Sequence, residues 1–246
     1  MYTSSIKLHF LFFVMIIAIL IIPAYSDIIS DSPVMYQAST YAMVESGNYS
    51  EVITVDEMKS FGNFGVGGFK DLDGELTQIN GDIYQIKHDG SVLKPEGDTG
   101  ICFANTITFD PEYLINLNET MNEDTLLANI HDSFPDENVI YAFRIDGEFP
   151  EITVRSVPPQ EEPYPSLSEV IEDQSVFHLQ NISGTVSGFW FPEWMQGVNY
   201  AGFHTHFITD ARDAGGHVLD MTTENASVSI QPIYTFTMIL PDKKED

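Results

Sequence analysis

The chain has 246 residues, 43% hydrophobic and 19% charged, a composition that can bury a sizeable core and excludes an intrinsically disordered chain. Thirty-seven acidic residues against ten Lys and Arg give a net charge of −27, which argues against nucleic acid or an anionic membrane as partner. A single cysteine, Cys102, excludes an intrachain disulfide, so packing, metal or oligomerisation must supply the stability. In chain order, Lys7 precedes an apolar run of 13 residues, Phe10–Ile22, and Ala24-Tyr25-Ser26 then offers small residues before Asp27. That is the layout of a secretory signal peptide over residues 1–26, too short for a usual membrane span of ~20 residues. The expectation is an exported chain, secreted or at the cell surface, with a membrane role only if this segment stays uncleaved. Four Asn-x-Ser/Thr sequons, at Asn48, Asn118, Asn181 and Asn225, fit export in a glycosylating organism.

Residues 27–50 read as an extended entry segment. Thr54 and Glu57 form a capping box that opens a short helix at about 55–60. Asp73-Gly74, Asn80-Gly81 and Asp89-Gly90 are turn signals between short alternating runs, so residues 64–110 read as an antiparallel meander. Leu126, Leu127, Ile130 and Phe134 carry helical spacing over about 122–133. Val139–Ile145 and Glu151–Val157 read as strands about an Asp146-Gly147 turn. Pro158, Pro159, Pro163 and Pro165 mark a stiff connector, taken as a boundary between an N-terminal domain (27–162) and a C-terminal domain (163–246). A second capping box, Ser166 with Glu169, opens a helix to about Gln174. Strands follow at 175–180, 184–191, 198–208, 216–221 and 226–240. The fold class is therefore α+β: a mixed or antiparallel sheet in the N-terminal domain, a smaller antiparallel β domain at the C-terminus, and few short helices.

Three of the seven histidines fall within one short stretch. His204 and His206 are two apart, so on a strand both imidazoles point to one face. A polar, glycine-rich loop over 210–216 returns the chain, and His217 enters the neighbouring strand. Three neutral imidazoles suit zinc, and also manganese, iron or nickel; three protein ligands leave positions open for chemistry. The metal site is therefore expected in the C-terminal domain. His88, His131 and His178 are isolated and read as bystanders. Asp210, Asp213 and Asp220 read as surface carboxylates that could also orient the imidazoles.

Four stretches together resemble the acetolactate decarboxylase family over most of the chain, from about Tyr36 to about Leu240. They are Phe64-Gly65-Val66-Gly67-Gly68-Phe69 with Leu72-Asp73-Gly74-Glu75-Leu76; Tyr141–Gly147; Gly184–Phe189; and Gly202–His206 with Gly215–Asp220. The resemblance implies a zinc enzyme that converts 2-acetolactate to acetoin and carbon dioxide. On the matching positions, His204, His206 and His217 would be the zinc ligands, and Glu75 and Arg144 the polar pair facing the metal. It also implies a homodimer whose N-terminal sheet extends across the two copies. The chemistry suits the residues: zinc would act as Lewis acid on the keto and hydroxyl oxygens and hold the enediolate, Glu75 would donate the proton, and Arg144 would grip a carboxylate or help in that protonation. The chain departs from the family in two places. Members usually carry a further C-terminal tail whose glutamate reaches the metal, where this chain ends at Asp246 with Glu245 as the candidate substitute. A threonine that some members carry ahead of the Leu-Asp-Gly-Glu motif is Gly68 here. Two other readings stand beside this one: an exported, degenerate relative that binds metal without turnover, and a cupin-like metalloenzyme, since His204, His206 and Asp210 resemble part of a cupin motif.

Overall fold

Turn chemistry sets the first sheet. The computed structural model describes residues 33–241; the N-terminal apolar segment and Glu245 lie outside them. Asn80-Gly81 joins β4 (Glu75–Ile79) to β5 (Asp82–Ile86), with positive φ at both residues (53° and 86°). That geometry matches the twist of a two-residue hairpin. β3 (Phe64–Phe69) precedes this hairpin and β6 (Val92–Leu93) follows it, antiparallel throughout. The meander expected to continue to residue 110 stops there. β7 (Gly100–Ile107) doubles back to pair with β3, because all eight of its residues are buried and suit a central strand. β1 (Val34–Ala38) pairs antiparallel with β7, and β14 (Thr235–Ile239) adds parallel to β1, making the sheet mixed. The order is β14-β1-β7-β3-β4-β5-β6, with β2 (Ile53–Thr54) also on β7.

The second sheet is built on three long strands, β10 (Ile140–Ser156), β11 (Ser175–Phe191) and β13 (Gly215–Ile233), with β12 (Gly202–Thr209), β8 (Tyr113–Leu117) and β9 (Met121–Asn122). Its order is β10-β11-β12-β13-β8, and a further pairing of β10 with β13 closes β10, β11, β12 and β13 into a ring. Asp146-Gly147, expected as a turn, lies inside β10 instead. Gly147 is there for close approach: a Cβ on it would sit 2.8 Å from Ala226. The sheets do not divide the chain at Pro163. β8, β9 and β10 come from before it and β14 from after it, and the chain from Val34 onward forms one compact unit.

Among the described residues the α-helices are few and short: α1 (Tyr41–Glu45), α2 (Val55–Phe61), α3 (Glu123–Asp132) and α4 (Leu167–Glu172). Both capping boxes form, Thr54 with Glu57 and Ser166 with Glu169. α1 falls in the segment expected to be extended; Thr40 caps it by accepting from the Met43 amide. Among the described residues no helix is long and apolar enough to cross a membrane.

Two apolar clusters position the site. One takes the inward residues of the closed ring, with Phe149 edge-on to Phe207 (ring centroids 5.0 Å apart) beside Phe143, Ile152 and Val154. The other joins the two sheets: Phe64, Val66 and Ile79 from the first meet Ala142, Phe189 and Ile208 from the second. Each of the larger side chains contributes about 1.5–3 kcal/mol of burial, so the ring's outward face is held firmly against the first sheet.

Candidate metal centre and its cavity

His206 and His217 are direct neighbours in register on β12 and β13, and His204 lies two residues back on β12. Register partners share a face, so the three imidazoles converge. Their ring centroids are 5.0–5.2 Å apart, and one ligand nitrogen from each lies within 4.8 Å of the others. Gly216, at φ 142°, makes room for this: a Cβ there would lie 2.4 Å from the Arg155 carbonyl oxygen.

The surroundings suit a cation. Burial lowers the His204 pKa to about 4 and holds those of His206 and His217 well below the usual histidine value, so all three are neutral and can donate lone pairs. His206 Nδ1 lies 2.8 Å from the Leu76 carbonyl oxygen. As Nδ1–H donor it leaves Nε2 unprotonated and turned toward His217, whose Nδ1 is 3.3 Å away. His204 Nδ1 is buried with no hydrogen-bond partner. A buried orphan nitrogen is costly, and a metal ion at this cluster would satisfy the electron-rich groups that now face one another. The donor set therefore fits a divalent metal.

Glu75 opens β4 directly after Gly74, whose φ of 84° no ordinary side chain favours. The residue is 8% exposed, and Oε2 lies 3.5 Å from His206 Nε2. Burial raises its pKa to about 7, an effect that the Arg155 charge partly offsets. Near neutral pH Glu75 is thus poised between acid and base.

Arg144 is not at this site. Its guanidinium is held by Asp146 (2.7 and 2.8 Å) and Asn80 (2.9 Å). It shares the outward face of the ring but lies two strands from His206, across Ser187. The arginine brought to the cluster is Arg155, the register partner of His217 on β10. Simple alternation would put residues 144 and 155 on opposite faces. Irregularities in the β10 pairing between Asp146 and Val154 change the parity: buried positions run Ile145, Phe149, then Ile152, Val154. That interruption hid Arg155 from sequence reading, and Pro150 inside the strand is the one signal that could have flagged it. Among the described residues no ion pair or hydrogen bond holds the Arg155 guanidinium. In so acidic a protein that is a reserved positive charge.

Glu75, Arg155, His204 and His217 line a cavity of about 340 Å³ between the two sheets, walled otherwise by apolar and aromatic side chains that include Phe103 and Phe203. α1 and α4 contribute Tyr41, Val44, Leu167 and Ile171 to the wall. Gly68 also lines it, and a Cβ there would meet no atom closer than 3.5 Å, so the smaller side chain leaves local space. Asp210, Asp213 and Asp220 are exposed, as are His88 and His178; His131 packs on Trp190. None of the six enters the cluster.

This is a mixed-sheet protein whose closed β ring presents three neutral histidines that could hold a metal ion, beside a carboxyl and an arginine, to a cavity with mostly apolar walls. A profile of the family described as alpha-acetolactate decarboxylase matches residues 35–246. The alpha-acetolactate decarboxylase of Methanosarcina mazei is 39% identical over 221 residues, covering 90% of this chain and 76% of that protein. The one from Raoultella terrigena is 36% identical over 208 residues, covering 85% and 80%. The crystal structure of the Bacillus subtilis strain 168 enzyme superposes with a TM-score of 0.84 at 32% identity, over 86% of this chain and 90% of that one. The chain belongs to the alpha-acetolactate decarboxylase family and is an enzyme of it.

Proposed function

We propose that this chain decarboxylates 2-acetolactate to acetoin and carbon dioxide, with zinc held by His204, His206 and His217. The observation that carries the proposal is the meeting of that neutral triad with Glu75 and Arg155 in one cavity with mostly apolar walls. Bound zinc would supply Lewis acidity toward the keto and hydroxyl oxygens of the substrate.

The remaining work belongs to the side chains. Arg155 offers a fixed, planar pair of donors that draws the substrate carboxylate into an otherwise acidic protein and orients it. When carbon dioxide leaves, the electron pair stays on the former carboxyl-bearing carbon and needs one proton. Glu75, raised to about 7, still carries that proton in a large share of molecules at neutral pH and stands beside the triad to deliver it to one face. Phe103, which lies face-on to His204 at 6.4 Å, and Phe203 keep bulk water from competing with that delivery.

Purified residues 27–246 with zinc should form acetoin from racemic acetolactate. Acetoin no faster than the spontaneous background would overturn the enzymatic reading and favour a relative that binds metal without turnover. The N-terminal layout supports export, for which N-terminal sequencing of the secreted form should begin near Asp27. The resemblance supports a homodimer, which sedimentation of the purified chain would detect.

A further inference from the structure

Three amide side chains, Gln37 on β1, Asn105 on β7 and Asn199 in the loop before β12, are completely buried and bonded to one another. Asn199 Nδ2 donates to Gln37 Oε1 and to Asn105 Oδ1, both at 2.9 Å. Asn199 Oδ1 accepts from the Tyr200 backbone amide at 2.8 Å. Gln37 Nε2 in turn donates to the Val198 carbonyl oxygen at 2.7 Å. The same Val198 oxygen accepts from the Tyr41 amide at 2.9 Å, and Gly197 O accepts from Ala42 at 3.0 Å. One buried knot thus fixes two segments together: the 197–200 loop and the first turn of α1.

Those segments carry the two tyrosines of the cavity wall. Tyr41 and Tyr200 meet edge to face, with ring centroids 5.7 Å apart. Among the described residues neither hydroxyl has a hydrogen-bond partner, and Tyr200 is 47% exposed, so the pair stands at the solvent side of the cavity. Asn199 is the member through which the network holds together: Asn105 Nδ2 has no partner of its own, so losing Asn199 would leave Asn105 Oδ1, Gln37 Oε1 and the Tyr200 amide unpaired as well.

We propose that Asn199 is a positioning residue for substrate binding: through the buried amide knot it holds the Tyr41–Tyr200 pair in place over the cavity, where the free hydroxyls meet the incoming polar substrate. The proposal rests on the decarboxylase reading. Turnover by the unaltered chain tests that reading first and separately.

The test is a double-mutant cycle of Asn199→Ala and Tyr200→Ala in the zinc-loaded enzyme, with metal content measured for each. Each single variant should raise KM by about tenfold, the loss of one or two buried hydrogen bonds or of a binding group, with kcat within about threefold and zinc retained. The double variant should be worse than Tyr200→Ala alone by clearly less than the full Asn199→Ala effect, since Asn199 acts through the tyrosine pair of which Tyr200 is one member. Hydrogen exchange at the Tyr200 amide should speed up in Asn199→Ala. Additive KM effects, an unchanged KM, or a loss confined to zinc or kcat would overturn the proposal. If Asn199→Ala does not fold, Asn199→Ser, which keeps an oxygen near the Tyr200 amide, carries the same cycle with a smaller KM effect and the same pattern.

Discussion

Replacing Glu75 with Gln in the metal-free protein isolates what burial does to this carboxyl. Its pKa stands at about 7 against 4.5 for the unperturbed group, and each pH unit is worth about 1.4 kcal/mol. The native state therefore binds a proton that the unfolded chain has already released. The sign follows: a raised folded-state pKa gives a contribution that is whole below pH 4.5 and lost as pH rises through about 7. The loss should amount to on the order of 3 kcal/mol, a large part of a typical domain's stability. Gln is nearly isosteric and does not titrate, so Glu75→Gln should lack this component. The three histidines act in the opposite sense. Their lowered pKa values cost stability as pH falls below the ordinary histidine value, and they do so in both proteins. Urea unfolding of both proteins after chelation, from roughly pH 5 to 8, gives the difference directly. Wild type should lose stability relative to Glu75→Gln across that range. Parallel curves would refute the claim that Glu75 is held as the acid by its burial.

Four other outcomes follow from the site. Chelation should abolish turnover and added zinc restore it, while His204→Ala should lose both metal and turnover, read by metal analysis and acetoin formation. Arg155→Met should lower kcat/KM by about a hundredfold or more, as expected for a lost charge-assisted pair of hydrogen bonds. Arg144→Met should leave kcat/KM within a few-fold and instead lower unfolding stability by about 1–2 kcal/mol, through its contacts to Asp146 and Asn80; the reverse pattern would return the catalytic role to Arg144. Gly216→Ala should destabilise by about 1–3 kcal/mol and weaken zinc retention, because φ 142° and the Arg155 carbonyl leave no place for a Cβ beside His217.

Local signals in the sequence were enough for the pieces that depend on near neighbours. Alternation put His204 and His206 on one face, a glycine-rich return brought His217 to the next strand, and the capping boxes at Thr54 and Ser166 began helices where they form. The Asn80-Gly81 hairpin belongs to the same class. Each is decided within a few residues, by backbone preference or side-chain periodicity.

What lay beyond that range was set by pairing between distant strands. β7 takes an inner place in the first sheet because its residues on both faces are buried, the polar Asn105 and Thr106 among them held by side-chain hydrogen bonds, and β14 crosses to the far edge of that sheet. The choice of Arg155 over Arg144 turns on irregularities in β10 that reverse which residues face outward, and on closure of the ring, which sets β10 beside β13. Glu75 gains its raised pKa only when the first sheet is pressed against the ring and water is removed from around it. The sequence by itself therefore determined which imidazoles could share a metal. Tertiary packing decided which charge faces them and how acidic the neighbouring carboxyl is, because both depend on desolvation and on strand neighbours far apart in the chain.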